Sequence, residues 1–262
     1  MSFFDVHESG RPDAPTVLLS SGLGGTAGYW APQLAALRAH YRIVTYDQTG
    51  TGRNRTELPA GHDIAGMARE ALGVLDDSKT GAAHFVGHAL GGLVGLELAR
   101  RHPERLSSLT IVNGWAAANA HTKRCFEFRL ALLAHEGPQA YVRAQQIFLY
   151  PADWSARNAE RLATEEAHGV AGFQGAGNLR ARISALLAFD ARAHLKDLRL
   201  PVLIVASRDD VLVPSFMSEE LAAAIAGARL YVAPWGGHAI NVTEPDLFNE
   251  VLLRFLAGLP VS

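Results

Sequence analysis

Apolar runs of strand length alternate with stretches of helical periodicity along most of the chain. TVLLSSG (16–22), RIVTYD (42–47), AHFVG (83–87), LSSLTIVNG (106–114), PVLIVAS (201–207) and ARLYVAP (228–234) are short and rich in Val, Leu and Ile. Runs of this kind predict strands buried on both faces. Between them lie WAPQLAALRAHY (30–41), residues 63–76 and LGGLVGLELARRH (90–102). Their apolar residues recur every three or four positions and predict helices, the last stopped by Pro103. A helix is also expected between the last two strands, and another from Pro245 to near Ala257. The alternation predicts an α/β fold: a mostly parallel central sheet with helices on both faces.

The rhythm breaks from about Trp115 to Ala193. RCFEFRLALLAHEG and NLRARISALLAF are helical patterns, and no convincing strand accompanies them. The expected organisation is a core of residues 1–114 and 194–262 with a helical cap insertion, 115–193, over the C-terminal edge of the sheet. There is no internal repeat and no low-complexity segment.

Composition narrows the function classes. The chain is 48% hydrophobic, enough for a sizeable core. With 24 basic against 26 acidic residues, it offers no electrostatic footprint for nucleic acid. No apolar stretch is long enough to span a bilayer. Met1 to Gly10 carries Asp5 and Glu8 without a basic region, so no secretory leader is expected. The single Cys125 cannot form an internal disulfide, and a cytoplasmic location is expected. The histidines are scattered without ligand spacing, so neither a metal nor a cofactor is expected. The expected partner is a small-molecule substrate, with monomer and homodimer both open.

The chemistry gathers at three turns, each just beyond an expected strand. FVGHALGGLVG (85–95) has the glycines of a Gly-x-Ser-x-Gly turn at Gly87 and Gly91, but Ala89 stands where the nucleophile belongs. ASRDDVLVP places Asp209 and Asp210 after one strand, and WGGHAINVTEP places His238 after another. The order of nucleophile position, acid and histidine is that of a catalytic triad on an α/β sheet. An acid beside a histidine fixes the ring's tautomer, which makes it useful as a base. SSGLGG (20–25) follows the first strand; its position makes the backbone N–H groups of Leu23 and Leu90 the candidate oxyanion hole. The competing reading is a dinucleotide loop, with Gly22, Gly24, Gly28 and Asp47. Its glycine spacing departs from the fingerprint, and it leaves the Asp210 and His238 turns unexplained. DQTGTGRN (47–54) reads as a structural turn beneath the site, held by Asp47.

Taken together, SSGLGG, YDQTGTG, VGHALGG, SRDDVLVP and GGH resemble the α/β-hydrolase superfamily over nearly the whole chain. In relatives with Gly-Arg-Asp-Asp-x-x-Val-Pro the second acid is catalytic, which selects Asp210. Within the superfamily the chain resembles the RutD family of the Rut pyrimidine-utilisation pathway, on GHALG, VNGW, NAHTKRCF, LYPADW, FQG and GGHAINVT. RutD-like proteins also carry alanine in the elbow. The resemblance implies a hydrolase of a small, labile product of uracil ring opening, aminoacrylate or carbamate. Composition and spacing identify no substrate.

A site without its serine needs another route. His88 is a neighbour on a sharp turn and points elsewhere; Cys125 reads as a small apolar filler. The expected chemistry is direct: His238 as base towards water, Asp210 orienting it, and no protein nucleophile. Asn113, Trp115 and Asn119 are candidate substrate contacts at the cap entrance, with Lys123 and Arg124 equally readable as a solvated helix face. Two alternatives stand beside this reading. One is a non-catalytic binding protein of the same fold. The other is a serine ester or C–C hydrolase whose nucleophile has been replaced by Ala89.

Overall fold

The computed structural model describes residues 3–11 and 13–258. Residues 1–2, 12 and 259–262, which fall within the expected core segments, lie outside the described residues. The first half supplies β1 (Phe4–His7), β2 (Thr16–Ser20), α1 (Ala31–Arg38), β3 (Arg42–Tyr46), α2 (Ile64–Asp77), β4 (Ala83–His88), α3 (Leu90–Arg101) and β5 (Leu106–Val112). Four helices follow: α4 (Ala120–Leu149), α5 (Ala152–Arg157), α6 (Ala159–Ala171) and α7 (Ala176–Ala188). The chain then completes the sheet with β6 (Val202–Ser207), α8 (Ser215–Ala224), β7 (Arg229–Ala233), α9 (Ile240–Thr243) and α10 (Pro245–Leu256). The seven strands run in the order β1-β3-β2-β4-β5-β6-β7. All neighbours are parallel except β1, which pairs antiparallel with β3.

The apolar runs are explained by what covers the sheet. Successive side chains of a strand point to opposite faces. Leu18, Val44, Phe85 and Leu109 join one buried cluster with Met67, Ala71 and Leu93 of α2 and α3. Val17, Leu19, Ile43 and Val86 join another with Trp30 and with Phe248 and Leu252 of α10. Both faces being dry, no polar alternation is needed, and β2 and β6 are buried at every position. The edge strand β1 was not expected. Its four residues, FDVH, are only half-buried and too short for a pattern.

No strand of the sheet is drawn from between β5 and β6 among the described residues. Ala117 and Asp190 form an isolated antiparallel bridge, and the Ala191 N–H donates to the Ala116 carbonyl at 2.9 Å. The excursion therefore leaves and returns through one point. Within it α4 bends at Gly137 (φ 84°), followed by Pro138, which cannot donate to the preceding turn.

Candidate active site

The chain runs from β2 outward to β3 and then crosses back to β4 on the other side of β2. Such a reversal opens a crevice at the carboxyl ends of the strands. SSGLGG leaves β2 there, and the β4–α3 turn faces it.

That turn is tight because it has to be. Ala89, between β4 and α3, has φ 46° and ψ −110°, a conformation costly for a residue with a Cβ. Its N–H donates to the Val112 carbonyl at 2.8 Å. A Cβ on Gly87 would lie 2.3 Å from the Gly91 carbonyl oxygen, and one on Gly91 would lie 2.2 Å from that of Ser20. The backbone thus retains the strained elbow, with an alanine at its apex.

His238 follows β7 in a loop with positive φ at Gly236 and Gly237. Its Nδ1 pairs with Asp210 Oδ2 at 2.8 Å, and both residues are buried. Asp210 is itself fixed, because Oδ1 accepts the Leu212 and Val213 N–H groups, each at 2.8 Å. The bond to Asp210 leaves Nε2 as the ring nitrogen available to the cavity. Two donors meet at the His238 carbonyl: Asn113 Nδ2 and His88 Nε2, each at 2.7 Å. Asp209 Oδ1 accepts the Gly237 N–H at 2.9 Å, so the two adjacent acids hold one loop at two points.

Because the carbonyl of His238 accepts from His88, the proton of His88 sits on Nε2. Burial, and then the neighbouring His238, push the His88 pKa down to about 3. His88 is therefore a neutral strut. Its Nδ1 is buried without a partner and is packed against Gly22, where a Cβ would lie 2.8 Å away.

A cavity of about 470 Å³ lies over these turns. Leu23, Ala89, Leu90 and His238 form part of its wall, with Trp115 and residues of α4 and α6 opposite. Leu90 opens α3, so its amide is among those a helix leaves without an internal acceptor. Of the three candidate substrate contacts, Trp115 lines the cavity and is buried with its Nε1 unpartnered. Asn113 and Asn119 do not line it. Asn113 spends its amide on the Gly237 and His238 carbonyls and the Ser207 N–H. Asn119 caps α4, accepting the Thr122 N–H, and reaches Met217 Sδ. Lys123 and Arg124 are exposed. Cys125 lies in the buried cluster, its thiol pushed up by burial.

Two buried arginines went unnoticed in the sequence. Arg182 of α7 is fully buried and donates to the carbonyls of Gly22 and Leu23 and to Gln48 Oε1. It thereby fixes the loop that carries the Leu23 amide, and burial pushes its pKa down to about 10. Arg129 of α4 is 2% exposed and forms part of the cavity wall. The signal was present: Arg129 continues the stripe of Cys125, Phe126 and Leu133, and Arg182 that of Leu179, Ile183 and Leu186. A cation on the apolar stripe of a helix has either a partner or a task. The DQTGTGRN turn is structural: Asp47 accepts from the Ala27 and Arg53 N–H groups and pairs with the Arg53 side chain.

Comparison with known proteins bears on the family and the fold. Residues 17–251 match the model of the "Alpha/beta hydrolase family". A protein of Rhizobium rhizogenes named "Putative carbamate hydrolase RutD" is 49% identical, over 97% of each chain. One of the same name from Variovorax paradoxus is 52% identical, over 97% of this chain and 95% of its own. Among solved structures, the enol-lactonase of Burkholderia xenovorans LB400 superposes with a TM-score of 0.87 at 29% identity, covering 97% of this chain and 95% of its own.

Proposed function

The chain belongs to the alpha/beta hydrolase family, in its RutD branch, and from that premise we propose that it hydrolyses the C–N bond of a small, labile metabolite of uracil breakdown, carbamate or aminoacrylate. The observation that carries the reading is the intact His238–Asp210 pair at 2.8 Å, beside an elbow that keeps its strained backbone without its hydroxyl. A binding protein has no need of an oriented base buried at a cavity wall. We read residues 115–193 as the cap, since α4 and α6 supply the wall opposite the elbow.

Ala89 offers no atom to attack a carbonyl, so the reaction is direct. Water enters the space beside the Ala89 methyl. His238 Nε2 takes its proton as the water oxygen bonds to the substrate carbon. Asp210 holds the Nδ1–H tautomer and stabilises the imidazolium. The Leu23 and Leu90 amides receive the developing negative charge. The proton passes to the leaving nitrogen as the C–N bond breaks, so carbamate and water give ammonia and bicarbonate. With aminoacrylate, protonation of the enamine carbon by the imidazolium form of His238 gives an iminium; water adds to its carbon as His238 takes the water proton, and loss of ammonia as the C–N bond breaks leaves the aldehyde acid.

The magnitude suits the substrate. Sites stripped of a triad member retain roughly 10³–10⁴-fold acceleration from binding and the oxyanion hole. That is about 4–5.5 kcal/mol of barrier. An amide would need far more; carbamates and enamines decompose readily and do not. The test is product formation followed by NMR on freshly generated carbamate and aminoacrylate, with His238→Ala as comparison. Ammonia release above background by the wild type and its loss in the variant support the reading. Equal rates in the two proteins overturn it in favour of a ligand-binding role.

A further inference from the structure

Arg129 is a buried cation that the protein itself does not neutralise. Its Nη2 donates to Tyr141 Oη at 2.8 Å and to Gln145 Oε1 at 3.3 Å, both neutral. Its guanidinium carbon lies 5.2, 5.0 and 5.6 Å from the ring centres of Phe126, Tyr141 and Phe148. Its Nε is buried with no acceptor. Among the described residues its hydrogen bonds go to Tyr141 and Gln145 and no ion pair joins it to a carboxylate. Glu165, the acidic residue of the cavity wall, is already engaged by Tyr150 Oη at 2.8 Å and Arg161 Nε at 2.9 Å. Removing a guanidinium from water costs several kcal/mol, and ring faces with two neutral acceptors recover only part of it. A protein that needed only packing here would be served by an apolar side chain.

We propose that Arg129 is the anchor for the anionic group of the substrate, so that the cavity selects small carboxylates and carbamates over their neutral amides. The aromatic faces and Tyr141 hold the guanidinium in place before the ligand arrives, which lowers the ordering cost of binding. The anion supplies the missing counter-charge and accepts from the donors left over. In aminoacrylate, where the carboxylate is separate from the C–N carbon, holding the anion on Arg129 presents that carbon to His238; in carbamate the carboxylate carbon itself reacts, and its oxygens are shared between Arg129 and the Leu23 and Leu90 amides. This subsite rests on the reading of the cavity as the substrate site. It differs from that reading in that its readout is an equilibrium and needs no turnover.

The probe is acetate, isosteric with carbamate, against acetamide, its neutral counterpart. Saturation-transfer NMR should give an acetate Kd at least about tenfold lower than that of acetamide in the wild type, as expected for a charge-assisted pair. The Arg129 Nε–H resonance should shift with acetate and stay in place with acetamide. Arg129→Gln should raise the acetate Kd about tenfold or more and leave acetamide unchanged, while Arg129→Lys should recover part of the loss. No preference for acetate in the wild type, or an Nε–H resonance indifferent to it, overturns the proposal, even where Arg129→Gln does not fold. Acetate bound through Arg129 without turnover by the wild type would keep the subsite and remove the hydrolase reading. Turnover with an unchanged KM in Arg129→Gln would keep the hydrolase and remove the subsite.

Discussion

His88 donates from Nε2 to the backbone carbonyl of His238 at 2.7 Å, while their rings sit edge to face with centroids 4.7 Å apart. One histidine thus braces the other; both line the cavity, although His88 was expected to point elsewhere, and of the two it is His238 that pairs with a carboxylate. The brace has a cost in acid. The His88 pKa is lowered from 6.5 to about 3, so between those values the unfolded chain binds a proton that the folded chain refuses. His88 therefore contributes its full stability above about pH 6.5, and that contribution declines as the pH falls towards 3. His88→Asn cannot titrate, so its melting temperature should fall less than that of the wild type between pH 7 and pH 5. Parallel curves for the two proteins would show that His88 is not the acid-sensitive group.

Asp210 combines two tasks, orienting His238 and closing its own loop through the Leu212 and Val213 amides. In Asp210→Asn the amide oxygen can still accept from the loop, which turns the NH₂ towards His238. The imidazole must then accept at Nδ1 and carry its proton on Nε2, the wrong tautomer for a base. Activity should fall about 10²- to 10⁴-fold with modest loss of stability. The exchange of tautomers should be visible in the ¹⁵N shifts of the His238 ring.

Ala89→Ser places a hydroxyl on an elbow whose strain, neighbouring glycines and candidate base are already in place. A fluorophosphonate should leave the wild type unmodified by mass spectrometry and should label Ala89→Ser at that serine. Adding His238→Ala to the variant should abolish labelling. The natural reaction should not improve, because the hydroxyl occupies the space of the attacking water. A covalent adduct on Cys125 or His88 of the native protein, forming and decaying at the rate of turnover, would contradict the direct mechanism.

Arg182 is the sole side chain that joins α7 to both carbonyls at the start of the SSGLGG loop, among the described residues. Arg182→Met removes the cost of burying the cation but leaves Gln48 Oε1 without its donor, while the Gly22 and Leu23 carbonyls keep one each, from the Gly25 N–H and Gln174 Nε2. The net loss should be about 1–3 kcal/mol in urea unfolding. A drop in activity beyond that expected from the folded fraction would mark the loop as a positioning element. Unchanged stability and activity would mean that the loop is held elsewhere.

Six of the seven strands described were legible, five because burial leaves long apolar runs; β7 was also expected to be buried on both faces, but it lies at the edge of the sheet with Arg229 and Leu230 exposed, and was legible only from its short apolar run. β1 was not, because four half-buried residues at an edge satisfy no period. The turns that carry Asp210 and His238 could be read, since glycine and proline punctuate the ends of parallel strands, but the choice of Asp210 over Asp209 came from the resemblance to hydrolases and not from the turn. Asn113 misled for a physical reason. In the sequence an amide at the entrance to the cap looks free to meet a ligand, and only the fold shows three backbone groups converging on it. Arg129 and Arg182 were passed over because helical periodicity is scored on apolar residues, so a buried cation reads as a gap in the stripe. Where a gap lies on the inner face, it is worth asking what the charge meets.

The bridge between Ala117 and Asp190 has a consequence for how this chain can change. A segment that departs and rejoins at one point behaves towards the sheet as a closed loop. The entropy of closing such a loop grows only with the logarithm of its length, about 0.6 kcal/mol for each doubling. The four helices can therefore be shortened, lengthened or exchanged as a cassette with little penalty to the sheet's own connectivity. What restrains such exchange is contact and not closure: Leu179, Ile183 and Leu186 share a buried cluster with Phe85 and Leu109 of the sheet, and Arg182 reaches the SSGLGG loop, so one face of the cassette must be kept while the residues that line the cavity are the ones left to drift.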